Sequence, residues 1–104
     1  MVAIDVFAAL GNPLRRRILE LLLQGPATVS EIVAHFRLQR PAVSEHLQVL
    51  RNAKLVRDER RGRERHYHVE PARLAEVRDW LAPFEHYWRE RMRLLEQTLN
   101  EEEQ

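Results

Sequence analysis

One segment, 28–53, constrains the fold more than any other part of the chain. Thr28 and Glu31 form a capping-box pattern that predicts the start of a helix, because each side chain can bond the other residue's backbone amide. Apolar residues then recur at helical spacing in two groups, Ile32, Val33 and Phe36, followed by Val43, Leu47 and Leu50. Between the groups, residues 37–39 are predicted to form a tight turn, and Pro41 suits the first turn of a second helix. The pattern therefore predicts two short helices joined by a turn.

The flanking sequence predicts further helices and one β-hairpin. An apolar helix is expected over 2–10, and another begins after Asn12, a good N-cap followed by Pro13. The hairpin is expected over 55–69, because residues alternate inward and outward and Gly62 permits the turn. A long helix with a kink at its internal proline is predicted over 71–99, with a frayed acidic tail over 100–104. The chain, 1–104, is expected to be one domain, mainly α with a small β-hairpin.

The net charge of +1 hides an uneven distribution of charge along the chain. From Arg37 to His68, nine basic residues stand against four acidic ones, which gives this stretch a charge of +5. The remainder holds 8 basic and 12 acidic residues, so its charge is −4. A basic segment within an acidic scaffold is typical of a protein that binds a polyanion. A solvated charged surface is the alternative interpretation of the same composition.

The second helix of the pair has an outward face suited to reading DNA bases. Because its apolar residues face inward, the opposite face and the preceding turn carry the candidate base-reading residues Gln39, Arg40, Pro41, Ser44, Glu45 and Gln48. An arginine is suited to guanine, and a glutamate to the amino group of cytosine. For these residues alone, an ordinary amphipathic helix with a polar outer face is an equal alternative.

The tip of the predicted hairpin is crowded with arginine. Arg60, Arg61, Arg63 and Arg65 lie so close that their like charges repel, so a folded chain gains nothing from them without an anionic partner. We therefore predict that they reach phosphates or a narrow minor groove, with a solvated loop as the alternative. Further backbone contacts are predicted at Thr28, Ser30, His46 and Arg51, and Arg15, Arg16 and Arg17 are weaker candidates.

Two runs of residues resemble the ArsR-type (ArsR/SmtB) bacterial transcriptional repressors. The run from Arg40 to Leu50, followed by Ala53-Lys54-Leu55-Val56, is similar to the family pattern P-x-V-S-x-H-L-x-x-L-x-x-A-G-L-V. The run from Ala9 to Leu19 is similar to A-L-x-x-P-x-R-x-x-I-L. The resemblance covers roughly residues 3 to 99. It implies a winged helix-turn-helix in which the hairpin is the wing, and a homodimeric repressor on a palindromic operator, often upstream of its own gene.

The chain departs from the family pattern at two places. Lys54 occupies a position where glycine is usual, and because lysine tolerates a left-handed cap poorly, we expect the turn there to differ. Metal-sensing members resemble E-L-C-x-C-D-L before the recognition helix, whereas this chain contains no cysteine. Other members bind zinc through an Asp-x-His pair, but Asp79 is followed by Trp80 and Leu81. The resemblance is therefore to the non-metal branch, and no metal or cofactor is expected.

The histidines provide two further pairs of potential metal ligands. His66 and His68 share one face of a strand, and His86 and Glu90 are four residues apart on a helix. Since a bound first-row metal normally needs three or four ligands, neither pair is predicted to form a site by itself. His46 matches the family motif and is assigned to packing or to a phosphate contact.

The C-terminal helix carries a long apolar stripe that is too aromatic for a small core to enclose. Interface cores favour such aromatic residues together with methionine, so we predict a dimer formed through the first and last helices. The predicted interface residues are Phe7, Leu10, Trp80, Leu81, Phe84, Tyr87, Trp88, Met92 and Leu95. A ligand pocket lined by Trp80, Phe84 and Trp88 is the alternative.

Composition and motifs exclude several classes of function. With no assembled nucleophile, phosphate loop or paired acids, we do not expect an enzyme. We see no signal peptide and no apolar run long enough to span a membrane, and the lack of cysteine fits a reducing cytoplasm. The sequence therefore predicts a DNA-binding repressor of unknown effector. The alternative is a protein-interaction module that uses the winged fold and the aromatic helix to bind a partner.

Overall fold

The computed structural model describes residues 5–103, and the chain divides after Leu74 into two compact units. The first unit contains four helices, a three-stranded sheet and a short 3-10 turn over Pro71–Arg73. Its elements are α1 (Val6–Leu10), α2 (Pro13–Leu22), β1 (Ala27–Thr28), α3 (Val29–Phe36), α4 (Arg40–Asn52), β2 (Val56–Arg61) and β3 (Glu64–Val69). The second unit is formed by helix α5 (Leu74–Glu102).

The predicted helix-turn-helix and hairpin are both present, so the fold class is confirmed. Helices α3 and α4 flank the turn 37–39, and strands β2 and β3 pair antiparallel from Val56–Val69 to Arg61–Glu64. Strand β1 was not predicted; it pairs with the other edge of β3, so the sheet order is β1-β3-β2. A strand of two residues is too short to show an alternating pattern in the sequence. It can be recognised only from its pairing with β3.

The core of the first unit is built from one apolar face of each helix. Ile18, Ile32 and Leu50 are fully enclosed, and Val43 and Leu47 are buried beside them as the helical spacing predicted. Val33 and Phe36, predicted to lie in the same buried stripe, are only half-buried. Burial of this face of α4 fixes the opposite face toward solvent.

The caps define where the first three helices begin. Asn12 Oδ1 accepts hydrogen bonds from the amides of Leu14 (2.9 Å) and Arg15 (3.1 Å), as its sequence position predicted. Thr28 and Glu31 form the complete capping box. Helix α1 begins at Val6 because the Asp5 carboxylate caps it, so residue 5 of the helix predicted over 2–10 is not helical. Residues 2–4 of that prediction lie outside the described range.

Lys54 adopts the left-handed conformation that a glycine usually supplies, with φ of 59°. The amide of Lys54 donates to the Arg51 carbonyl (3.0 Å), and the amide of Leu55 donates to the Leu50 carbonyl (2.9 Å). These two bonds form a Schellman motif, and the enclosed Leu55 side chain holds it in place. The expectation that the turn would differ is therefore wrong. The same turn forms with lysine, whose backbone adopts the strained left-handed conformation.

Replacing Lys54 with glycine is expected to raise the free energy of unfolding by about 1 kcal/mol, because glycine adopts φ of 59° without a steric penalty. Urea denaturation measures the change. Ala53→Gly is the matched control, since Ala53 is right-handed (φ −82°) and buried, and it should lower stability. If both variants lost stability, the left-handed cap would not be strained.

The second unit is one continuous helix. Helix α5 runs unbroken through Pro83 and ends at Glu102, so the predicted end at residue 99 is wrong, and residues 100–102 are helical rather than frayed. The kink at Pro83 stays a prediction. The single-domain assignment also stays a prediction, because this helix forms a unit of its own in one chain. Within residues 5–103, no helix is long and apolar enough to cross a membrane.

Candidate nucleic-acid interface

The base-reading residues predicted on helix α4 lie on its solvent-facing side. Gln39, with an extended backbone, is the N-cap residue of the helix, and its side chain forms no capping bond. All six predicted residues are exposed: Gln39, Arg40, Pro41, Ser44, Glu45 and Gln48. Gln48 Nε2 donates to Asn52 Oδ1 (2.9 Å) along the helix surface, so its amide is already oriented. The first three turns of α4 therefore offer an exposed, mostly polar face of the kind that enters a major groove.

A groove lies between the start of helix α4, the start of helix α3 and the wing. Its volume is about 120 Å³, and it is lined by three arginines and one glutamate together with Thr28, Val29 and Ser30. Arg40 Nη1 donates to Ser30 Oγ (3.0 Å), which holds the guanidinium at the mouth of the groove. Arg63 and Arg65 line the wing side. The groove brings predicted base-reading and backbone-contact residues together in one cationic surface.

The wing is anchored to the first unit by Tyr67. Its ring is buried, and Tyr67 pairs with Ala27 of β1 on one side and Asp58 of β2 on the other. Burial, and secondly the charge of Asp58, raises the pKa of Tyr67, so the phenol is neutral at physiological pH. A buried neutral ring fixes the wing, so its tip is presented from a rigid base.

The wing arginines are less uniform than the sequence predicted. Arg65 forms an ion pair with Asp58, and Arg61 lies 3.8 Å from Glu59. Arg60 stands directly opposite Arg65 across the hairpin, and its Nε donates to the Gly62 carbonyl (3.2 Å). The expectation that these arginines gain nothing without an outside anion is therefore wrong for two of them. The Asp58–Arg65 pair was missed because strand pairing, not sequence proximity, brings the two residues together.

Arg63 is the wing arginine that is most open to a new partner. It is exposed, it follows the glycine of the turn, and it has no hydrogen bond or ion pair within residues 5–103. The ion pair of Arg61 with Glu59 is exposed on both sides and contributes little to stability, so Arg61 can exchange its acid for another anion at small cost. The tip of the wing is therefore suited to phosphate groups.

Thr28 and His46, both predicted to contact the DNA backbone, already have hydrogen-bond partners within the protein. Thr28 is 5 % exposed, and its hydroxyl is bonded to the amide and carboxylate of Glu31, so it serves the helix cap. His46 is half-buried, and its Nδ1 accepts from Arg15 Nη1 at 3.3 Å. The packing role of His46 is therefore favoured over a phosphate contact. Ser30 and Arg51 are exposed, as a backbone contact requires.

Arg15 joins helix α1 to helix α4. Its Nε donates to the Ala9 carbonyl (2.6 Å) and its Nη2 to the Ala8 carbonyl (3.3 Å), which satisfies the end of helix α1. The third bond, to His46, reaches the middle of α4. Arg15 is thus committed to holding the recognition helix in place. Arg16 is also engaged, because it donates to the Leu10 carbonyl (2.7 Å).

We expect Arg15→Met to lower the free energy of unfolding by about 1–3 kcal/mol, because it removes charge-assisted bonds from half-buried acceptors. Arg17→Met is the matched control, since Arg17 is exposed on the same helix. Thermal unfolding of the two variants makes the comparison. An equal decrease in stability in the two variants would mean that the hydrogen bonds of Arg15 add nothing beyond the contribution of an exposed arginine.

The two predicted ligand pairs, His66 with His68 and His86 with Glu90, are engaged with neighbouring charged groups. His68 Nε2 lies 3.5 Å from the Glu59 carboxylate. Glu90 is bonded to Arg93 (2.6 Å), and this bond lowers the pKa of Glu90. In the part of the chain that the structure describes, no group of three or more potential ligands is close enough to hold a metal ion.

Helix α5 exposes the apolar stripe that the sequence assigned to a dimer interface. From Trp80 onward, its large apolar side chains are between 38 % (Leu81) and 64 % (Trp88) exposed. The stripe also contains Trp80 and Phe84, whose ring centroids are 4.7 Å apart, and Tyr87, which lies under the Arg91 guanidinium. Among the other predicted interface residues, Phe7 is 40 % exposed and Leu10 is half-buried. A contiguous exposed apolar surface of this kind usually marks an interaction site.

Comparison with known proteins gives consistent matches. Residues 12–58 match the family described as bacterial regulatory protein, arsR family. The chain is 35 % identical to the transcriptional repressor SdpR of Bacillus subtilis over 80 residues, covering 77 % of this chain and 89 % of that protein.

Solved structures show the same similarity. One ArsR family transcriptional regulator has 35 % identity and a TM-score of 0.69, with 80 % of this chain and 86 % of that chain covered. Another is the homodimeric winged helix-turn-helix DNA-binding domain of a possible ArsR-family regulator from Mycobacterium bovis. It has 28 % identity and a TM-score of 0.64, with 78 % and 75 % covered.

Proposed function

Because the chain belongs to the arsR family of bacterial regulatory proteins, which are DNA-binding transcriptional regulators, we propose that it represses transcription as a homodimer on a palindromic operator. The single observation that carries the proposal is the cationic groove between the recognition helix and the wing. It adjoins the exposed first turn of α4, so base edges and backbone phosphates can be contacted at the same time. The repressor would act in the cytoplasm by blocking access to a promoter.

The homodimer is supported by the exposed stripe of helix α5 and by the homodimeric relative. Four aromatic rings lie on the stripe, Trp80, Phe84, Tyr87 and Trp88, and aromatic side chains bury roughly 150–250 Å² each when enclosed. A second copy supplies a matching surface, because a two-fold interface joins the same patch on both subunits. Phe7 and Leu10 of helix α1 are proposed to take part. Two recognition helices about 34 Å apart would read two half-sites of a palindrome.

The proposed repressor does not sense metal through thiolates. The chain has no cysteine, and no cluster of three ligands forms among residues 5–103. Zinc binding normally requires three or four protein ligands held in a tetrahedral arrangement. Operator binding should therefore be the same with added zinc and with a chelator.

Hydroxyl-radical footprinting on the DNA upstream of the gene tests the palindrome and the dimer together. The proposal predicts two protected half-sites whose centres lie about one helical turn apart, related by a two-fold axis. Repeating the footprint with zinc and with chelator should leave the pattern unchanged. One protected half-site, or a pattern that disappears with either addition, would contradict the proposal.

Arg63→Ala is expected to weaken binding to operator and unrelated DNA by a similar factor. Arg63 is proposed to contact phosphate, so its loss should also reduce the slope of log affinity against log salt by about 1. Arg89→Ala is the matched control, because it removes the same charge from an exposed position on helix α5. A loss confined to the operator would instead make Arg63 a base-reading residue.

A further inference from the structure

A second cavity lies at the opposite end of helix α4 from the groove. Its volume is about 480 Å³, within the usual range for small-molecule sites. Val56, which is buried, and Ala72 give it an apolar wall. Its rim carries four cations and one acid, Glu70; the cations are Arg51, Lys54, Arg57 and Arg73. An apolar wall with a cationic rim matches an anion that has an apolar body.

Lys54 is the rim cation best placed to receive a ligand. Arg57 Nε is paired with Glu70 at 2.6 Å, and Arg51 lies 3.4 Å from Asp58. Lys54 is exposed and has no ion-pair partner within residues 5–103. It is also the only lysine of the chain.

The backbone of Lys54 provides an independent reason to assign it a role. A left-handed lysine is strained where glycine would not be, and strained residues are enriched at ligand-binding and active sites. The strained turn places the lysine directly after the recognition helix. The strained backbone therefore supports a role for the Lys54 side chain.

We propose that this cavity binds a small organic anion, a carboxylate on an apolar body, through Lys54 and Arg51. The carboxylate bonds the two cations at the rim, and the apolar body lies against Val56 and Ala72. Charge-assisted bonds to a carboxylate are the strongest polar contacts available at such a rim. No covalent chemistry is involved.

A chain of ion pairs connects the cavity to the wing. Asp58, whose side chain is 12 % exposed, is shared between Arg51 of the cavity and Arg65 of the DNA-facing groove. When a ligand carboxylate pairs with Arg51, Asp58 keeps Arg65 as its remaining cation. The ion pair between Asp58 and Arg65 then becomes stronger, and Arg65 is less available to bind phosphate. The anion is therefore expected to lower DNA affinity, and by linkage DNA lowers affinity for the anion. This regulatory step rests on the proposed function, whereas binding of the anion does not.

Titration of the full chain followed by amide NMR tests the site. Benzoate and hexanoate are the probes, and benzamide is the neutral match for benzoate. We expect both anions to shift amides around Lys54, Val56 and Ala72, and benzamide to bind at least about fivefold more weakly. Lys54→Gln, which keeps the same backbone requirement, should weaken benzoate binding at least about fivefold. Arg89→Gln, on helix α5, should leave it unchanged.

Three results would overturn the site. One is the absence of shifts with both anions up to about 10 mM, a concentration at which even weak binding is visible. Another is equal binding of benzamide and benzoate. The third is benzoate affinity that Lys54→Gln does not alter. If Lys54→Gln lowered DNA affinity while no anion bound, the rim would be a DNA-backbone surface and the proposal would be wrong.

A second titration separates the site from its regulatory effect. Benzoate added to the protein–DNA complex should lower DNA affinity severalfold in the parent chain and not in Lys54→Gln. Unchanged DNA affinity with bound benzoate would overturn the regulatory step and leave the site standing. A chain that bound benzoate and no DNA would contradict the proposed function alone.

Discussion

Trp88→Glu is expected to sediment as a monomer and to bind operator DNA about 10²- to 10⁴-fold more weakly than the parent chain. Trp88 is 64 % exposed in the single chain, so the change leaves the core of either unit untouched. In the proposed dimer it lies in the interface, where a buried unpaired carboxylate is strongly unfavourable. A monomer contacts only one half-site of the operator, so the increase in affinity that comes from binding two half-sites at once is lost.

Gln97→Glu is the matched control for this prediction. It adds the same charge to helix α5, at an exposed position nine residues on and therefore on the opposite face. Sedimentation equilibrium should report a dimer for this variant and a monomer for Trp88→Glu. A dimer in both would show that the aromatic stripe is not the interface. It would also favour the alternative that Trp80, Phe84 and Trp88 line a ligand pocket.

Arg40→Ala with Ser44→Ala is expected to lower operator affinity by about 10- to 100-fold and to affect unrelated DNA much less. Both side chains are exposed on the first turns of α4, where a recognition helix meets base edges. A bidentate contact between arginine and guanine discriminates between bases, so its loss should relax sequence choice. Competition between operator and scrambled DNA measures the ratio.

The same double variant separates two roles for Arg40. Its bond to Ser30 and its place in the groove with Arg63 also suit a phosphate contact. Equal losses on operator and scrambled DNA would assign Arg40 to the backbone and move base reading to the next turn of α4, which carries Gln48. Arg89→Ala again controls for the lost charge. Full retention of operator binding would contradict the recognition face and favour a protein-interaction module.

The helix-turn-helix was predictable because its signals are local. The capping box of Thr28 and Glu31, the proline at the start of α4 and the helical spacing of apolar residues all act within a few residues. Each signal specifies a boundary or a buried face by itself. Once Val43 and Leu47 are placed inward, the exposed face of α4 follows from helix geometry.

The parts that could not be predicted depend on contacts between distant residues. Strand β1 exists only because Ala27 and Thr28 pair with β3 almost forty residues later. The ion pair of Arg65 with Asp58 and the bond of Arg15 to His46 are likewise set by the fold. In both contacts, a side chain that the sequence assigned to DNA binding, or left unassigned, has a partner within the protein. For Lys54, the sequence predicted that lysine would disfavour the left-handed turn, but the structure has that turn. Single-residue propensity does not predict this outcome.

Sequence-specific DNA binding is tested most directly by fluorescence anisotropy with DNA from directly upstream of the gene and with unrelated DNA of equal length. Measured in roughly 50 to 200 mM salt, affinity should fall steeply with salt on both DNAs, because phosphate contacts release counterions. We expect upstream DNA to bind at least about 10³-fold more tightly than unrelated DNA at each salt concentration. Equal, weak binding to both DNAs would contradict a sequence-specific repressor of its own gene.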